Sequence, residues 1–357
     1  MNRIPVGILG ATGVVGQHYI AALADHPWFE IAFLASSKRS ANQSYANALG
    51  NRWRQVTPLP IDIANLPVHN VDDIAAAKAS CRLVFSALGG EVAQQFEAKY
   101  AQEGLAVVSN ASFHRRDPDV PVIIPEVNAG HLDILPRQRE LRGWKGFIVT
   151  KPNCSLQSYL IPLWPLHQRF GLSKIIVTTL QAISGAGYPG VPALAITDNV
   201  IPYIAGEEEK SESEPLKILG SIKGDVIVDA ENIAIAAHCN RVPVTDGHLA
   251  CVSVQFKNIP SPEDIIQAWK DFKAEPQHLG LPSAPSQPII IRDEFDRPQP
   301  RLDSMAGEGM AVTVGRLRPC PVLDYRFVGL SHNTIRGAAG GGVLIAELLV
   351  KQQYITV

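Results

Sequence analysis

One cysteine stands in a setting that suits covalent chemistry. Cys154 follows a strand-like apolar stretch and a turn that contains Pro152 and Asn153, and a helical pattern begins shortly after it. A thiol at the start of a helix feels the positive end of the helix dipole, which lowers its pKa and favours the thiolate. The sequence therefore predicts that Cys154 is a nucleophile. Lys151, in the same turn, either lowers the pKa further or points to solvent, and we expect solvent.

A cysteine nucleophile needs a partner that exchanges protons, and an anionic substrate needs a cation. His248 lies just before a strand-like run, and Arg241 precedes it on the same loop. An imidazole titrates near neutral pH, and a guanidinium binds a carboxylate through two parallel hydrogen bonds. The pair therefore predicts a site that transfers protons and binds a carboxylate.

Glycines recur at every third position near the start of the chain. The pattern Gly10-x-x-Gly13-x-x-Gly16 follows a strand-like run and opens a helix-like one. Such a turn lets the backbone approach a pyrophosphate closely, and the free N–H groups of the helix start bind it. We interpret this turn as a dinucleotide-binding site; a purely structural turn is the alternative.

The end of the second strand indicates which dinucleotide. It contains Ser36, Ser37, Lys38 and Arg39, with no carboxylate that would bind a ribose hydroxyl. Hydroxyl groups and cations favour the 2′-phosphate of NADP, because Arg39 can bind a phosphate through two hydrogen bonds. The alternative is a solvated basic loop.

These residues need a scaffold, and the first third of the chain predicts one. Strand-like runs at residues 4–9, 30–35, 82–88 and 106–109 alternate with helix-like runs at 14–24 and 91–103. This rhythm is typical of a parallel sheet covered by helices on both faces. Proline and glycine break the rhythm over residues 120–143. We therefore place a first domain at residues 1–135 and a second at 136–333.

The second region predicts a mixed sheet with helices on one face, an α+β domain. Its strand-like runs are residues 174–183, 233–237, 249–256 and 310–317. The acidic residues 207–214 and the proline-rich residues 282–300 are expected to be exposed. A final helix within residues 334–357 is expected to pack back on the first domain.

Composition limits the possible functions. The 357 residues carry 32 basic and 34 acidic side chains, so the net charge of −2 does not steer the chain onto nucleic acid or an anionic membrane. Five scattered cysteines without a C-x-x-C pair predict neither a disulfide framework nor a metal site, and they favour a reducing cytoplasm. No apolar run has the length of a membrane span.

Seven motifs, in this order, resemble the aspartate-β-semialdehyde dehydrogenases, particularly their archaeal and fungal-type branch. They are GATGVVG, SNAS, PNCS, QAISGAGYPG, IPYIAGEEEK, NRVPVTDGH and SHNTIRGAAGG. The resemblance implies an N-terminal Rossmann-type NADP-binding domain and an α+β catalytic and dimerisation domain in a homo-oligomer. It also implies reversible, NADPH-dependent reductive dephosphorylation of L-4-aspartyl phosphate to aspartate semialdehyde through a cysteine thioester, towards lysine, threonine and methionine.

The resemblance also assigns roles by motif. Cys154 would be the nucleophile and His248 the acid and base, with Gln181 positioning the acyl group. Arg241 would bind the substrate carboxylate, and Glu207 or Glu208 its ammonium. Lys210 and Arg115 would bind the phosphate, and Asn153 would also contact the substrate. Cofactor contacts would come from Gly10, Thr12, Gly13, Val14, Val15, Ser36, Ser37, Arg39, Ser86, Gly185 and Asn333.

Three alternatives remain at this point. Malonyl-CoA reductase shares the nucleophile and cofactor, and N-acetyl-glutamyl-phosphate reductase follows similar logic, but neither substrate offers a free amine to a carboxylate such as Glu207. A non-enzymatic NADP-binding redox sensor would bind nucleotide without turnover. The chain also departs from the family, which usually has asparagine where Lys151 stands.

Overall fold

A seven-stranded sheet forms the core of the first domain in the computed structural model, which describes residues 3–355. Its strands are β1 (Ile4–Leu9), β2 (Phe29–Ser36), β3 (Gln43–Ser44), β4 (Pro67–Asn70), β5 (Leu83–Ser86), β6 (Ala106–Ser109) and β7 (Phe147–Thr150). Their order is β3-β4-β2-β1-β5-β6-β7, and all neighbours are parallel except β3 and β4. The predicted parallel α/β fold is confirmed.

Helices cover this sheet because its strands are apolar on both faces. Every residue of β5, β6 and β7 is buried, as is typical of parallel strands. The helices of this part of the chain are α1 (Val14–Leu23), α2 (Tyr45–Leu49), α3 (Ile61–Ala64), α4 (Ile74–Ser80), α5 (Gly90–Gln102), α6 (Pro125–Asn128) and α7 (Leu135–Arg142). Short 3-10 turns span Phe113–Arg116 and Ala129–Ile134.

The sequence predicts a domain boundary after residue 135, yet β7 pairs with β6, so the first sheet extends to Thr150. Cys154 follows directly in a 3-10 turn, Cys154–Leu156. The glycine turn follows β1, Ser36 ends β2 and Ser86 ends β5. The carboxyl ends of parallel strands meet at one edge of a sheet, where ligands of this architecture bind.

The second sheet is mixed, as the sequence predicts. Its strands are β8 (Leu172–Gln181), β11 (Ala234–Arg241), β12 (His248–Phe256), β13 (Ile289–Arg292), β14 (Val312–Pro319) and β15 (Tyr325–Ser331); β9 (Ser221–Lys223) and β10 (Val226–Val228) form a separate hairpin. The order is β11-β8-β12-β15-β14-β13, with parallel pairs at both edges and antiparallel pairs between them.

The helices of this region are α8 (Gln157–Phe170), α9 (Ala193–Ile196), α10 (Glu207–Ile218), α11 (Pro262–Asp271), α12 (Glu275–His278) and α13 (Pro300–Asp303), with a 3-10 turn at Ile183–Ala186. A π-helix, Ile335–Ala339, and α14, Gly340–Lys351, end the described chain. Val343, Leu344 and Leu348 of α14 are buried in the core of the first domain with Ile8 and Tyr19. Residues 356 and 357 of the predicted final helix lie outside the described residues.

Two segments expected to be exposed are exposed only in part. Residues 207–214 belong to α10, where Glu207 and Glu214 are each only 8% exposed because they bind polar groups beneath the helix. Residues 282–300 contain β13, whose Ile289 is buried against the second core. Both expectations hold only for part of each segment, because local polarity and proline content do not report tertiary partners. No helix within residues 3–355 has the length and apolar character to cross a membrane.

Candidate active site

The thiol of Cys154 lies at the start of the helical segment that continues into α8, as the sequence predicts. Cys154 is partly exposed, whereas Asn153 and Ser155 on either side are buried. The turn is held from within, since Oδ1 of Asn153 accepts hydrogen bonds from the backbone N–H of Ser155 at 2.9 Å and from its hydroxyl at 2.8 Å. The turn therefore holds Cys154 in a fixed position.

Two glutamates of α10 anchor this turn from the other side. The amide nitrogen of Asn153 donates to both carboxylate oxygens of Glu207, at 2.9 and 2.8 Å, and its backbone N–H donates to Glu214 at 2.7 Å. Both polar ends of the Asn153 amide are thus engaged by the protein. Asn153 was assigned to substrate binding from the resemblance, and in the structure it fixes the nucleophile turn.

Glu207 is the common partner of several predicted site residues. Besides Asn153, it accepts hydrogen bonds from Gln181 at 3.2 Å and from Lys210 at 3.1 Å. Glu208 points elsewhere, because its carboxylate accepts the backbone N–H of Cys239 on β11 at 3.0 Å. Of the two glutamates considered for the substrate ammonium, only Glu207 lies beside the nucleophile turn.

His248 contacts the nucleophile through a defined nitrogen. Its Nε2 lies 3.4 Å from Sγ of Cys154, and its Nδ1 accepts the backbone N–H of Ala182 at 3.0 Å. A neutral imidazole has one N–H, so the occupied Nδ1 places the proton on Nε2, facing the sulfur. Burial and the nearby Arg241 guanidinium lower the pKa of His248 to about 3. His248 is therefore neutral and donates toward Cys154.

Arg241 shares this corner of the site with His248. It is buried, and one guanidinium nitrogen donates to the carbonyl oxygen of Ala182 at 2.7 Å. A Cβ atom on Gly185 would lie 2.9 Å from Nη1 of Arg241 and 3.0 Å from Nε2 of His248. Glycine at position 185 thus leaves open the space in front of both side chains, where a ligand has access to them.

Arg115 reaches the site from the loop after β6. Its guanidinium pairs with Glu214 at 2.8 Å and donates to the carbonyl oxygen of Asn110 at 2.8 Å, while its buried Nε has no protein partner among the described residues. Glu214 therefore joins Arg115 to the backbone of Asn153. Lys210 is about one-third exposed beside Glu207.

The charges around the thiol act in opposite directions. Burial raises the pKa of Cys154, and the Glu207 carboxylate raises it further; Lys151, Arg115 and Arg241 lower it. The expectation of a lowered pKa at the helix start is wrong, because desolvation outweighs the favourable charges. The expectation that Lys151 points to solvent is also wrong, since the residue is only 3% exposed.

The glycine turn has the shape of a nucleotide site. Gly10 has a φ of +78°, and a Cβ there would lie 2.7 Å from the carbonyl oxygen of Ala87, so only glycine fits without strain. A Cβ on Gly16 would lie 2.4 Å from the carbonyl oxygen of Gly10. The start of α1 has no side-chain cap and no acidic residue in its first turn, so its N–H groups are available to an anion.

Comparison with known proteins decides the family. Residues 5–135 match the model of the semialdehyde dehydrogenase NAD-binding domain, and residues 163–336 match that of the semialdehyde dehydrogenase dimerisation domain. The chain belongs to the semialdehyde dehydrogenase family. Two full-length relatives are the aspartate-semialdehyde dehydrogenases of Cryptococcus neoformans, 47% identical over 99% of this chain and 98% of the relative, and Archaeoglobus fulgidus, 46% identical over 99% and 100%.

A solved semialdehyde dehydrogenase shares the fold over the whole length. The crystal structure of the aspartate semialdehyde dehydrogenase of Candida albicans with NADP superposes with a TM-score of 0.91 at 43% identity, covering 99% of this chain and 100% of that one. The predicted fold and family are confirmed.

Hydroxyl groups and a cation lie at the carboxyl ends of β2 and β5, where a dinucleotide would lie. Ser86, at the end of β5, is fully buried. Ser36 and Thr12 bind each other through their hydroxyls at 2.7 Å, and Ser37 and Arg39 are exposed beside them. These residues fit a phosphate-bearing cofactor, because they offer hydroxyls and a cation with no opposing carboxylate.

Both polar ends of the Asn333 amide are bound within the protein. Its oxygen accepts the backbone N–H of Gly247 at 2.8 Å, and its nitrogen donates to the hydroxyl of Ser184 at 2.8 Å. It thus ties the His248 strand to the loop that carries Gly185. The exposed Gly13 and the half-buried Val14 and Val15 lie at the start of α1.

Sequence reasoning missed several residues that build the site. Glu214 fixes both Arg115 and the nucleophile turn, and the helical spacing of Glu207, Ser211 and Glu214, which are all buried, was the signal that could have revealed it. Arg336 and Glu126 form a buried ion pair, which no local sequence pattern indicates.

Proposed function

We propose that this protein is an aspartate-semialdehyde dehydrogenase, which reduces L-4-aspartyl phosphate to L-aspartate 4-semialdehyde with NADPH, reversibly, in the synthesis of lysine, threonine and methionine. The observation that carries the proposal is the contact of Cys154 with His248, close to the buried charges of Arg241 and Glu207. A zwitterionic acyl phosphate needs a nucleophile, a cation for each anion and an anion for its ammonium. The full-length relatives named above support the same substrate.

In this proposal Cys154 carries the acyl group. Its thiolate attacks the acyl carbon, the C–O bond to phosphate breaks, and a thioester forms on Sγ. NADPH, when bound, supplies the hydride that reduces the thioester. The resulting thiohemiacetal collapses, releasing the aldehyde and regenerating the thiol or thiolate of Cys154.

His248 acts as a neutral hydrogen-bond donor in this scheme. Its Nε2–H faces the sulfur because the N–H of Ala182 occupies Nδ1. A fixed donor in a buried site stabilises the thiolate and the negative charge that develops on the adjacent oxygen, without the cost of reorganising water. This role differs from the acid and base role that the sequence suggests, because the imidazolium would direct a second N–H at the N–H of Ala182.

The remaining polar residues bind the ends of the substrate. We assign Arg241 to the α-carboxylate, Glu207 to the ammonium, and Arg115 and Lys210 to the phosphate. Gln181, hydrogen-bonded to Glu207, positions the acyl group. The unpartnered Nε of Arg115 supports its assignment, because a buried guanidinium N–H without a partner is costly unless a ligand accepts it.

NADP would lie along the carboxyl edge of the first sheet. The pyrophosphate would meet the turn at Gly10, Thr12 and Gly13 and the following residues Val14 and Val15, and the 2′-phosphate would meet Ser36, Ser37 and Arg39. Ser86, Gly185 and Asn333 would border the nicotinamide end. The free N–H groups of α1 and the absence of a carboxylate at the end of β2 support this placement.

Malonyl-CoA reductase and the redox sensor are not favoured. A malonyl substrate has no ammonium. A carboxylate buried beside the nucleophile, such as Glu207, would therefore raise the pKa of Cys154 without binding any group of that substrate.

We further propose a homo-oligomer, a dimer or a tetramer, formed through the outer face of the second sheet, where Ile176 and Cys251 are exposed. All five cysteines are free, which supports a reducing, cytoplasmic compartment.

Steady-state assays test the proposed function. Aspartate semialdehyde with NADP and phosphate should give NADPH, and omission of phosphate should suppress steady turnover. Malonate semialdehyde with coenzyme A should give far less. Folded protein that binds NADP but reduces none with aspartate semialdehyde would overturn the proposal and favour the sensor. Light scattering of the same preparation measures the oligomeric state.

A further inference from the structure

A glutamate that has no part in the site described above is buried next to the loop that carries Arg115. Glu97 lies on α5, on the same buried face as Ala93 and Tyr100, and it is 0% exposed. Glutamate is seldom fully buried unless it is paired, because removing a carboxylate from water is costly. Its Oε1 accepts a hydrogen bond of 2.7 Å from the hydroxyl of Ser109, which ends β6 and is also fully buried.

This carboxylate determines how the hydroxyl of Ser109 is oriented. A serine hydroxyl has one proton to donate and lone pairs that accept. Because the proton is donated to Glu97, a lone pair of Oγ is left for the backbone N–H of Ala111, which donates to it at 3.0 Å. Both side chains are buried, so solvent does not compete for either hydrogen bond. Glu97 thus fixes the hydroxyl that holds the backbone two residues further on.

The peptide group between Asn110 and Ala111 transmits this constraint to Arg115. Its N–H, on Ala111, is bound by Ser109, and its carbonyl oxygen, on Asn110, accepts Nη2 of Arg115 at 2.8 Å. A trans peptide group is planar, with its N–H and C=O pointing in opposite directions, so it rotates as one unit. A rotation that frees the N–H of Ala111 therefore also moves the oxygen that holds the guanidinium of Arg115.

Two hydrogen bonds set the direction of the Arg115 guanidinium. Nη1 binds Glu214 of α10 and Nη2 binds the carbonyl oxygen of Asn110, both at 2.8 Å, which leaves Nε for a ligand. The second oxygen of Glu97, Oε2, lies 3.9 Å from Nε2 of His114, the residue before Arg115. The carboxylate is thus next to both the start and the end of the segment that orients Arg115.

We propose that Glu97 is a positioning residue for the phosphate subsite. It acts through Ser109 and the peptide group between Asn110 and Ala111, and it holds Arg115 with Nε directed at the phosphate. The inference rests on the proposed function, because that function assigns Arg115 to the phosphate. It adds a residue of α5 that determines how tightly phosphate binds.

The KM for phosphate, measured in the oxidation of aspartate semialdehyde by NADP, tests this inference. Glu97→Ala removes the acceptor of the Ser109 hydroxyl; Ser109→Ala removes only the hydroxyl, for the case that the first variant does not fold. Each should raise the KM for phosphate about tenfold, because a misplaced guanidinium binds its ligand poorly. The kcat at saturating phosphate and the KM for aspartate semialdehyde should stay close to those of the unsubstituted protein. The double variant should raise the KM for phosphate no further, since both residues act in one chain of contacts.

Glu97→Gln is the conservative variant. Its amide oxygen can still accept the Ser109 hydroxyl, so the KM for phosphate should return almost to the value of the unsubstituted protein. A KM in Glu97→Gln as high as in Glu97→Ala would overturn the inference.

Glu347→Ala is the matched control. Glu347 lies on α14, is also 0% exposed, and also binds a histidine and a serine, His26 at 2.7 Å and the hydroxyl of Ser283 at 2.6 Å. Its loss should lower the Tm and leave the KM for phosphate unchanged. An equal rise of that KM in Glu347→Ala would show a general loosening of the fold and would overturn the inference.

Arg115→Ala separates this inference from the proposed function. It should raise the KM for phosphate at least as much as Glu97→Ala does. If Arg115→Ala raises the KM while folded Glu97→Ala and Ser109→Ala do not, the positioning role of Glu97 alone is overturned. An unchanged KM in Arg115→Ala, or unsubstituted protein without turnover, refutes the assignment of Arg115 or the proposed function, and this inference with it.

Discussion

The backbone N–H of Ala182 donates to Nδ1 of His248 at 3.0 Å, and this single contact decides which nitrogen of the ring carries the proton beside Cys154. Protonation of both nitrogens would place two N–H groups against each other and would add a charge in a buried site close to Arg241. The imidazole is therefore held neutral, as a hydrogen-bond donor to the sulfur, by Ala182, which directly follows β8 and is distant in the sequence.

Neutral His248 makes the fold sensitive to acid. The pKa is about 3 in the folded protein against an ordinary value of 6.5. Between these values the unfolded chain binds more protons, so the free energy of unfolding falls as the pH falls, by up to about 1.4 kcal/mol per pH unit. His248→Gln, whose amide oxygen can still accept from Ala182, should lose this dependence. Urea unfolding of both proteins in this pH window measures it; parallel pH dependences would contradict the neutral imidazole.

Gly185→Ala should impair chemistry more than stability. The added Cβ would lie 3.0 Å or less from Arg241 and His248, in the space that a substrate would need, although no positive φ is required there. Displacement of reacting groups by about 1 Å can cost on the order of 100-fold in rate. We expect kcat/KM to fall by that order with little change in Tm. Gly130→Ala, where a Cβ meets no atom within 4 Å, is the control; equal losses in both would refute the assignment.

Arg39→Ala should change the cofactor preference. Arg39 is exposed next to Ser36 and Ser37 and forms no ion pair among the described residues that would occupy its guanidinium. Loss of a charge-assisted contact to the 2′-phosphate costs about 1.5–3 kcal/mol, equivalent to a rise of at least tenfold in the Kd for NADP. The Kd for NAD should stay constant. Calorimetric titration with both dinucleotides measures this, and a parallel weakening of both would place the phosphate elsewhere.

The buried pair of Arg336 and Glu126 should be essential for stability. The guanidinium binds both carboxylate oxygens of Glu126, and its Nε donates to Gln157 at the start of α8, at 3.2 Å. Arg336→Met leaves a buried, unpaired carboxylate, which typically costs about 3–5 kcal/mol. The double variant with Glu126→Gln should recover part of this loss in urea unfolding. A double variant no more stable than Arg336→Met would show that the charge is not the cause.

Local patterns predicted the elements that carry chemistry better than those that support it. The glycine turn, the strand before Cys154 and the mixed second sheet all follow from short-range periodicity and turn residues. β13 was hidden in a proline-rich stretch, and β15, with a glycine in its centre, was not predicted. β13 pairs with β14, and β15 pairs with both β14 and β12, so these strands depend on tertiary partners that no local pattern shows.

Charged residues caused the other errors. Glu207 and Lys151 are polar in sequence and were expected, as members of an acidic run and of a loop, to face solvent. In the structure Glu207 is buried because three donors converge on it, and Lys151 because α14 covers its stem. Burial raises the pKa of Cys154, whereas the helix dipole was expected to lower it. Tertiary partners determine such burial, and one sequence does not show them.

The central claim is that Cys154 carries an acyl group during reduction, and a single-turnover experiment tests it most directly. Aspartate semialdehyde and NADP, mixed with enzyme in the absence of phosphate, should give a burst of one NADPH per subunit, and mass spectrometry should find one aspartyl group on the Cys154 peptide. Phosphate should then remove that group and restore turnover. Cys154→Ala should bind NADP but give neither burst nor adduct. NADPH formation that persists in Cys154→Ala, or an adduct on another residue, would contradict the account.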